Sequence, residues 1–293
     1  MVIKGKESCK VMPELPEVEA IKLQLGEYLK GHKFVSVEVR NRKTFQGDEK
    51  KIIGGKLVGT RRFGKVTSID LDNGYSILTH VKLTGQYIYR GPNLKNPKPL
   101  SKKVIGGIPG PHTLVIFKLD KNGELYYNDV RRFGWIKIAK TSEVPEEPFI
   151  KKLGPEPFKD LTLEKFREIL SNTVRPIKIV LMDQEKIGGV GNIYANDALW
   201  LAKINPKTPA KELEDEKSEK LYNSILKVLK EGLKWGGASE LSFVTPDGSE
   251  GSYQNHTLVY GRTGEPCERC HKARFQKIFL GGRGTYFCPF CQV

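Results

Sequence analysis

Residues 267–291 read CERCHKARFQKIFLGGRGTYFCPFC. Two Cys-x2-Cys pairs, Cys267 with Cys270 and Cys288 with Cys291, stand 17 residues apart. Four thiolates at that spacing can close a tetrahedral metal site, and zinc is the ion such a set most often holds. A closed four-cysteine site has no open coordination position, so the expected Zn2+ is single and structural. Disulfides or another soft metal are the alternatives. His271 adjoins Cys270, but the four thiolates already suffice. Between the pairs, FQKIFLGGRGTYF reads as a β-hairpin turning at GGRG. That turn displays Arg283, read as a phosphate contact on a rigid hairpin rather than as a merely solvated arginine. Cys9 stands alone near the start, and five cysteines in 293 residues do not make a disulfide scaffold.

Working back from this module, residues 236–256 form a Gly/Ser-rich loop, GGASELSFVTPDGSEGSYQNH. Before it the apolar period is helical: LTLEKFREIL, PIKIVLMDQE, NIYANDALWLAK and EDEKSEKLYNSILKVLKEGLKW are helix candidates. GGVGNIYA at 188–195 is a glycine-rich turn entering one of them, with Asn192 expected at or near the N-cap. Such a turn offers backbone N–H groups to an anion. Flanked by helices and with Lys178 nearby, it suits a DNA backbone.

Residues 141–159 carry four prolines and read as a linker. Upstream, from Lys33 to about Ala139, the pattern alternates as strands do. KVTSIDLDNGYSILTHVKL and HTLVIFKLDKNGELYYND each read as two strands around an Asn-Gly turn. Residues 91–111 are rich in Pro, Gly and Lys and read as a mobile basic loop. Pro16 opens a helix with Glu17 and Glu19 at its positive end and Gly31 as its stop. The expected fold is α+β. Residues 1–11 form an extension, 12–140 an N-terminal β-sandwich or barrel, and 141–159 the linker. Residues 160–256 form a helical helix–two-turn–helix domain, and 257–293 a zinc finger.

Composition narrows the function. Apolar residues make up 38% and aromatics 9%, which suits a globular chain. No stretch of 18 apolar residues predicts a membrane span, and MVIKGKESCKV has no apolar core like that of a secretory signal. A reducing interior such as the cytoplasm is the expected compartment. Forty-nine Lys plus Arg against 34 Asp plus Glu leave +15, a balance that points to a polyanionic partner. No oligomerisation seam is visible, so a monomer is expected.

MPELPEVE at 12–19 carries the chemistry. If translation starts at Met12, the small Pro13 allows removal of the methionine and exposes a secondary amine. Such an amine can attack an electrophilic carbon and form an iminium. Glu14 beside it can serve as general acid or base. MPELPEVE, RRFGK at 61–65, NDVRRFG at 128–134, LGPEP at 153–157, GGVGNIYA and the four-cysteine finger occur in the order seen in formamidopyrimidine-DNA glycosylases. The resemblance runs from Met12 to Gln292. The related endonuclease VIII enzymes typically have Gly where this chain has Leu15, so the chain looks like the purine-directed branch.

The resemblance implies a bifunctional glycosylase/lyase acting on oxidised purines in double-stranded damaged DNA. Pro13 would attack C1′, Glu14 would donate a proton, Lys65 would contact phosphate and assist β-elimination, and Arg283 would serve the δ-step. Glu17 matches a second acidic position near the pocket. Leu83, Arg131 and Phe133 would fill the void left by the flipped base, with Arg131 facing the orphaned cytosine. His112, Lys178 and Asn192 match phosphate-binding positions. The segment GASELSFVTPDGSEGSYQNHTLVYGR resembles the family's loop over the flipped base. Leu83 replaces the family's common Met, a swap of similar volume. Thr173 stands where a basic residue is frequent, and Arg175 is read as supplying that contact. With residues 1–11 attached, the Pro13 nitrogen is a tertiary amide and no nucleophile, so the native start is expected at Met12. Two other readings are an endonuclease VIII-like enzyme for oxidised pyrimidines and, if Pro13 stays blocked, a non-catalytic DNA-binding module.

Overall fold

The computed structural model describes residues 12–293. The expected extension, residues 1–11 with Cys9, lies outside the described residues. Helix α1 (Leu15–Tyr28) has Pro16 in its first turn, where a missing N–H costs nothing. The chain leaves it through Gly31 at φ +74°, a left-handed turn that glycine adopts without strain. Its apolar stripe serves two cores: Leu15 packs with the helical half, while Ile21 and Leu25 pack with the strands.

Nine strands follow: β1 (Phe34–Val39), β2 (Phe45–Gln46), β3 (Leu57–Phe63), β4 (Val66–Leu71), β5 (Tyr75–His80), β6 (Gly85–Arg90), β7 (Thr113–Leu119), β8 (Glu124–Asp129) and β9 (Trp135–Lys140). They form two sheets, ordered β1-β7-β8-β6 and β2-β9-β5-β4-β3. Phe34, Val115, Phe117 and Tyr127 of the first sheet meet Ile69, Ile77 and Ile136 of the second in one shared core, so the β-sandwich expectation holds. Both Asn-Gly segments fall between antiparallel partners, β4 with β5 and β7 with β8.

The helical half comprises α2 (Pro148–Lys151), α3 (Leu163–Ser171), α4 (Ile177–Met182), α5 (Asn192–Ala202) and the amphipathic α6 (Asp215–Lys234). Strands β10 (Gln276–Leu280) and β11 (Arg283–Phe287) form the predicted hairpin, turning at Gly281 and Gly282, both at positive φ. The hairpin is fastened to the helices: the Tyr286 amide donates to Asn196 Oδ1 at 2.8 Å, and Phe275 and Tyr286 join the helical core. No helix among the described residues is long and apolar enough to cross a membrane.

Two segments differ from their sequence reading. Residues 91–111 contain no regular element, yet Val104 is buried with Ile88, Ile116, Tyr126 and Val244, and Leu100 and Ile108 pack against the same cluster. Three apolar residues within the Pro/Gly/Lys composition anchor a stretch that composition alone makes mobile. Residues 141–159 lie against the fold as well. The buried carboxylates of Glu147 and Glu156 pair with Lys137 and Arg62 on the sandwich.

Candidate active site

The start of α1 and the start of α5 face each other. Glu14, the N-cap of α1, is 2% exposed, and its carboxylate also reaches across to cap α5. Oε1 accepts from the Ile193 amide at 2.9 Å and Oε2 from the Tyr194 amide at 3.5 Å. The positive end of α5 favours an anion there. The glycine turn makes the approach possible, because a Cβ on Gly191 would run into the Glu14 carboxyl. Gly189, at φ +91°, passes its carbonyl to the Leu15 amide at 3.0 Å. The anion that this helix start receives within the protein is therefore Glu14. The N-cap is Gly191, and Asn192, expected at or near the cap, is the first helical residue.

Glu17 is equally buried and fully engaged. It accepts from the Glu14 amide at 2.8 Å, the Tyr194 hydroxyl at 2.7 Å and the Ala238 amide at 2.6 Å. Burial raises its carboxyl above the ordinary range, and those hydrogen bonds pull it back. For Glu14, burial dominates and lifts the carboxyl to about 7, against the attraction of Lys65 and with the repulsion of Glu17. A carboxyl there can hold or release a proton at neutral pH.

Lys65 follows Gly64 in the β3–β4 turn and is 7% exposed. Burial pushes its ammonium below the usual lysine range, while Glu14 and Glu17 support the charged form. Arg283 arrives from the opposite side, on the finger hairpin. Met12, Glu14, Lys65, Gln184, Asn192 and Arg283 line one cavity of about 90 Å³. That volume is well below the roughly 300–1,000 Å³ of a whole-ligand pocket. It suits one reacting carbon with its immediate substituents, beside the buried Pro13.

The other expected residues fall on two neighbouring turns. Leu83, half-buried between β5 and β6, accepts from the Ser242 hydroxyl through its carbonyl at 2.6 Å. Arg131 and Phe133 are exposed on the β8–β9 connection, with the guanidinium 4.7 Å from the ring centroid. Thr84 joins the two turns: its hydroxyl donates to Asp129 and accepts from the Arg131 amide at 3.0 Å. Phe133, 54% exposed, is an apolar ring with no core to fill, a form suited to entering a base stack. His112 is half-buried beside the start of β7.

Lys178 departs from the picture of a surface phosphate contact. It is fully buried, and its ammonium donates to Gly284 O at 2.9 Å and Thr285 Oγ1 at 2.7 Å. It holds the hairpin that carries Arg283. Arg175 is exposed and paired with Asp183 at 2.7 Å.

Two side chains outside every sequence motif support the site. Gln184 braces the glycine turn, donating to Met182 O and Val190 O and accepting from the Gly189 amide. His80, pressed against Trp135 and near Lys65 and Lys82, is driven by burial to about 3 and stays neutral. Neither lies in a motif, and their roles come from partners that folding brings close.

The cysteine sulfurs all lie within 4.8 Å of one another. Cys267 and Cys291 Sγ are 3.8 Å apart, and Cys270 and Cys288 Sγ 3.7 Å. A disulfide requires about 2.05 Å. Four sulfurs about 2.3 Å from a central ion in tetrahedral array stand about 3.8 Å apart. The set can hold a metal ion.

Two joined halves, a cavity at a helix–helix–finger junction and a cysteine cluster that can hold a metal ion define an α+β protein with a terminal finger. Residues 12–136 match the formamidopyrimidine-DNA glycosylase N-terminal domain, and residues 153–243 match the formamidopyrimidine-DNA glycosylase H2TH domain. The formamidopyrimidine-DNA glycosylase of Desulfitobacterium hafniense is 35% identical over 288 residues, covering 96% of this chain and all of that one. That of Listeria monocytogenes is 37% identical over 287 residues, covering 96% and 100%. The crystal structure of the Lactococcus lactis Fpg (MutM) complex with N7-benzyl-Fapy-dG-containing DNA superposes with a TM-score of 0.83 at 35% identity, covering 96% of this chain and 99% of the other. The chain belongs to the formamidopyrimidine-DNA glycosylase family. The pyrimidine-directed alternative is not favoured.

Proposed function

We propose that this chain excises oxidised purines from duplex DNA and then cuts the strand, with the Pro13 nitrogen as nucleophile. The observation that carries the reading is the convergence of Glu14, Lys65, Asn192 and Arg283, from four separate elements, on one small cavity also lined by Met12, so that both neighbours of Pro13 border it. The amine attacks C1′, the glycosidic bond breaks, and the base leaves with a proton drawn from Glu14. The resulting iminium acidifies C2′. Loss of a C2′ proton expels the 3′ phosphate, and a second elimination expels the 5′ phosphate. Lys65 and Arg283 supply the positive charge that these departing phosphates meet. The target nucleotide has to leave the stack to reach this depth. Leu83, Arg131 and Phe133 fill the gap from their paired turns, and His112 and Asn192 contact the backbone.

The secondary amine exists only in molecules that begin at Pro13. The family match beginning at residue 12 supports a start at Met12, and removal of that methionine would then free the Pro13 nitrogen. The four cysteines hold one Zn2+, which fits the sulfur spacing and fixes the hairpin bearing Arg283. The enzyme works as a monomer on the genome, in the cytoplasm with the nucleoid.

Borohydride trapping tests the mechanism on duplexes carrying 8-oxoguanine opposite cytosine. A covalent adduct mapped to Pro13, on protein whose intact mass starts at that residue, is expected. Full activity from protein retaining Met1 would refute Pro13 as the nucleophile.

A further inference from the structure

Residues 91–111 have no part in the chemistry above, yet they are fastened to the loop at 238–250. The Ser101 amide donates to Gly248 O at 3.0 Å, and the Ser101 hydroxyl donates to Glu250. Lys103 Nζ donates to Glu250 Oε2 at 2.6 Å and also to the Ser239 carbonyl. Gln86 of β6 ties both segments at once, donating to Lys103 O at 3.0 Å and to Ser242 O at 2.5 Å. Beneath these bonds Val104 and Val244, 6% and 1% exposed, share one apolar cluster. The loop's first residues are held on the other side, Ala238 by Glu17 and Ser242 by the Leu83 carbonyl.

We propose that residues 100–104 form a strap that presets the 238–250 loop before DNA arrives, with Lys103 and Glu250 as positioning residues for base excision. The inference rests on the reading that this loop covers the flipped base. A Gly/Ser-rich loop loses backbone entropy when it is ordered, and a protein that has already ordered it spends less binding energy on the lesion. Lys103 bridges two points of the loop eleven positions apart in sequence, Ser239 and Glu250, so it fixes the loop's span as well as its attachment. The strap should therefore matter when a base must be held, and not when the base is already gone.

The test uses the full chain with Lys103→Ala, Glu250→Gln and Lys103→Arg. Amide hydrogen exchange over 239–250 is measured in DNA-free protein. Single-turnover excision of 8-oxoguanine and incision of a preformed abasic site are measured on the same preparations. Lys103→Ala and Glu250→Gln are expected to speed exchange in the loop and slow excision about tenfold, the scale of a charged hydrogen bond. Abasic-site incision should stay within about twofold, and Lys103→Arg should restore excision. Unchanged exchange, or excision and abasic incision falling together, would overturn the strap. Wild-type protein inert on both substrates would instead overturn the functional reading, while the exchange measurement still decides whether the strap orders the loop.

Discussion

Replacing Glu14 with Gln probes the fold and the chemistry through one atom. The folded chain holds the Glu14 proton up to about 7, whereas the unfolded chain releases it near the ordinary 4.5. Below about 4.5 both states carry the proton, and its contribution to stability is fully present. As pH rises from 4.5 through 7 the unfolded state gives the proton up first, so stability is progressively lost. The gap corresponds to about 3 kcal/mol. Gln never ionises and escapes that loss. It keeps an acceptor for the Ile193 amide at 2.9 Å but turns an NH2 toward the Tyr194 amide, at a cost of about 1 kcal/mol. Glu14→Gln should thus be about 1 kcal/mol less stable than wild type at pH 4 and about 2 kcal/mol more stable at pH 8. For a chain of this size each kcal/mol moves Tm by roughly 2–4 °C, so the melting curves should cross between those pH values. Thermal unfolding of both proteins at pH 4, 6.5 and 8 reads this directly. A stability difference that does not change with pH would refute the assignment of the perturbed carboxyl to Glu14. In the same preparations, wild-type excision should decline above about pH 7 as the donor proton is lost, while the variant stays slow by about 10²–10⁴ throughout.

Lys65→Ala should slow 8-oxoguanine excision in single-turnover assays far more than it weakens affinity for undamaged duplex; an unchanged rate would contradict its role. On the proposed zinc assignment, Cys270→Ala should lower the zinc bound per chain, measured by elemental analysis, and weaken DNA binding, because the hairpin carrying Arg283 is joined to the cysteine cluster. Asp197 accepts from the Tyr253 hydroxyl and the Leu258, Val259 and Tyr260 amides while buried, so Asp197→Ala should cost about 3–5 kcal/mol in urea unfolding. Arg131 is exposed, so Arg131→Ala should leave thermal stability within about 0.5 kcal/mol of wild type. It should lower discrimination between cytosine and adenine opposite the lesion about tenfold, measured with paired duplexes.

Local chemistry explains which parts of the fold were legible in advance. The Asn-Gly turns sit between strands whose alternation is set by the sandwich, and GGRG marks the tightest point of a hairpin. The long amphipathic α6 follows from its apolar period. The cysteine spacing foretold a cluster because a metal fixes sulfur geometry whatever surrounds it. What could not be read depends on distant partners. GGVGNIYA reads as a turn for an external phosphate, and nothing local to it shows that amides at its helix start also receive Glu14, 179 positions away. Lys178 matches a phosphate-binding position, and only the fold shows its ammonium donating to Gly284 and Thr285 of β11. Residues 91–111 read as loose because the three apolar anchors are sparse, and sparse anchors suffice when a preformed apolar cluster receives them.

The burial of Pro13 and Glu14 gives the site its logic. A chain terminus is ordinarily a mobile place. Here α1 is held by two cores at once, through Leu15 in its first turn on one side and Ile21 and Leu25 further along on the other, and its N-cap is held by the amides of α5. A nucleophile at position 13 therefore inherits the rigidity of the domain junction rather than the freedom of an end, which is the condition for near-attack geometry. The same rigidity makes Met12 consequential, since it lines the cavity shared by Lys65 and Arg283. In the proposed mechanism its removal, with that of the residues before it, would do two things together: turn the Pro13 amide into an amine, and vacate volume beside the two cations for a deoxyribose carbon.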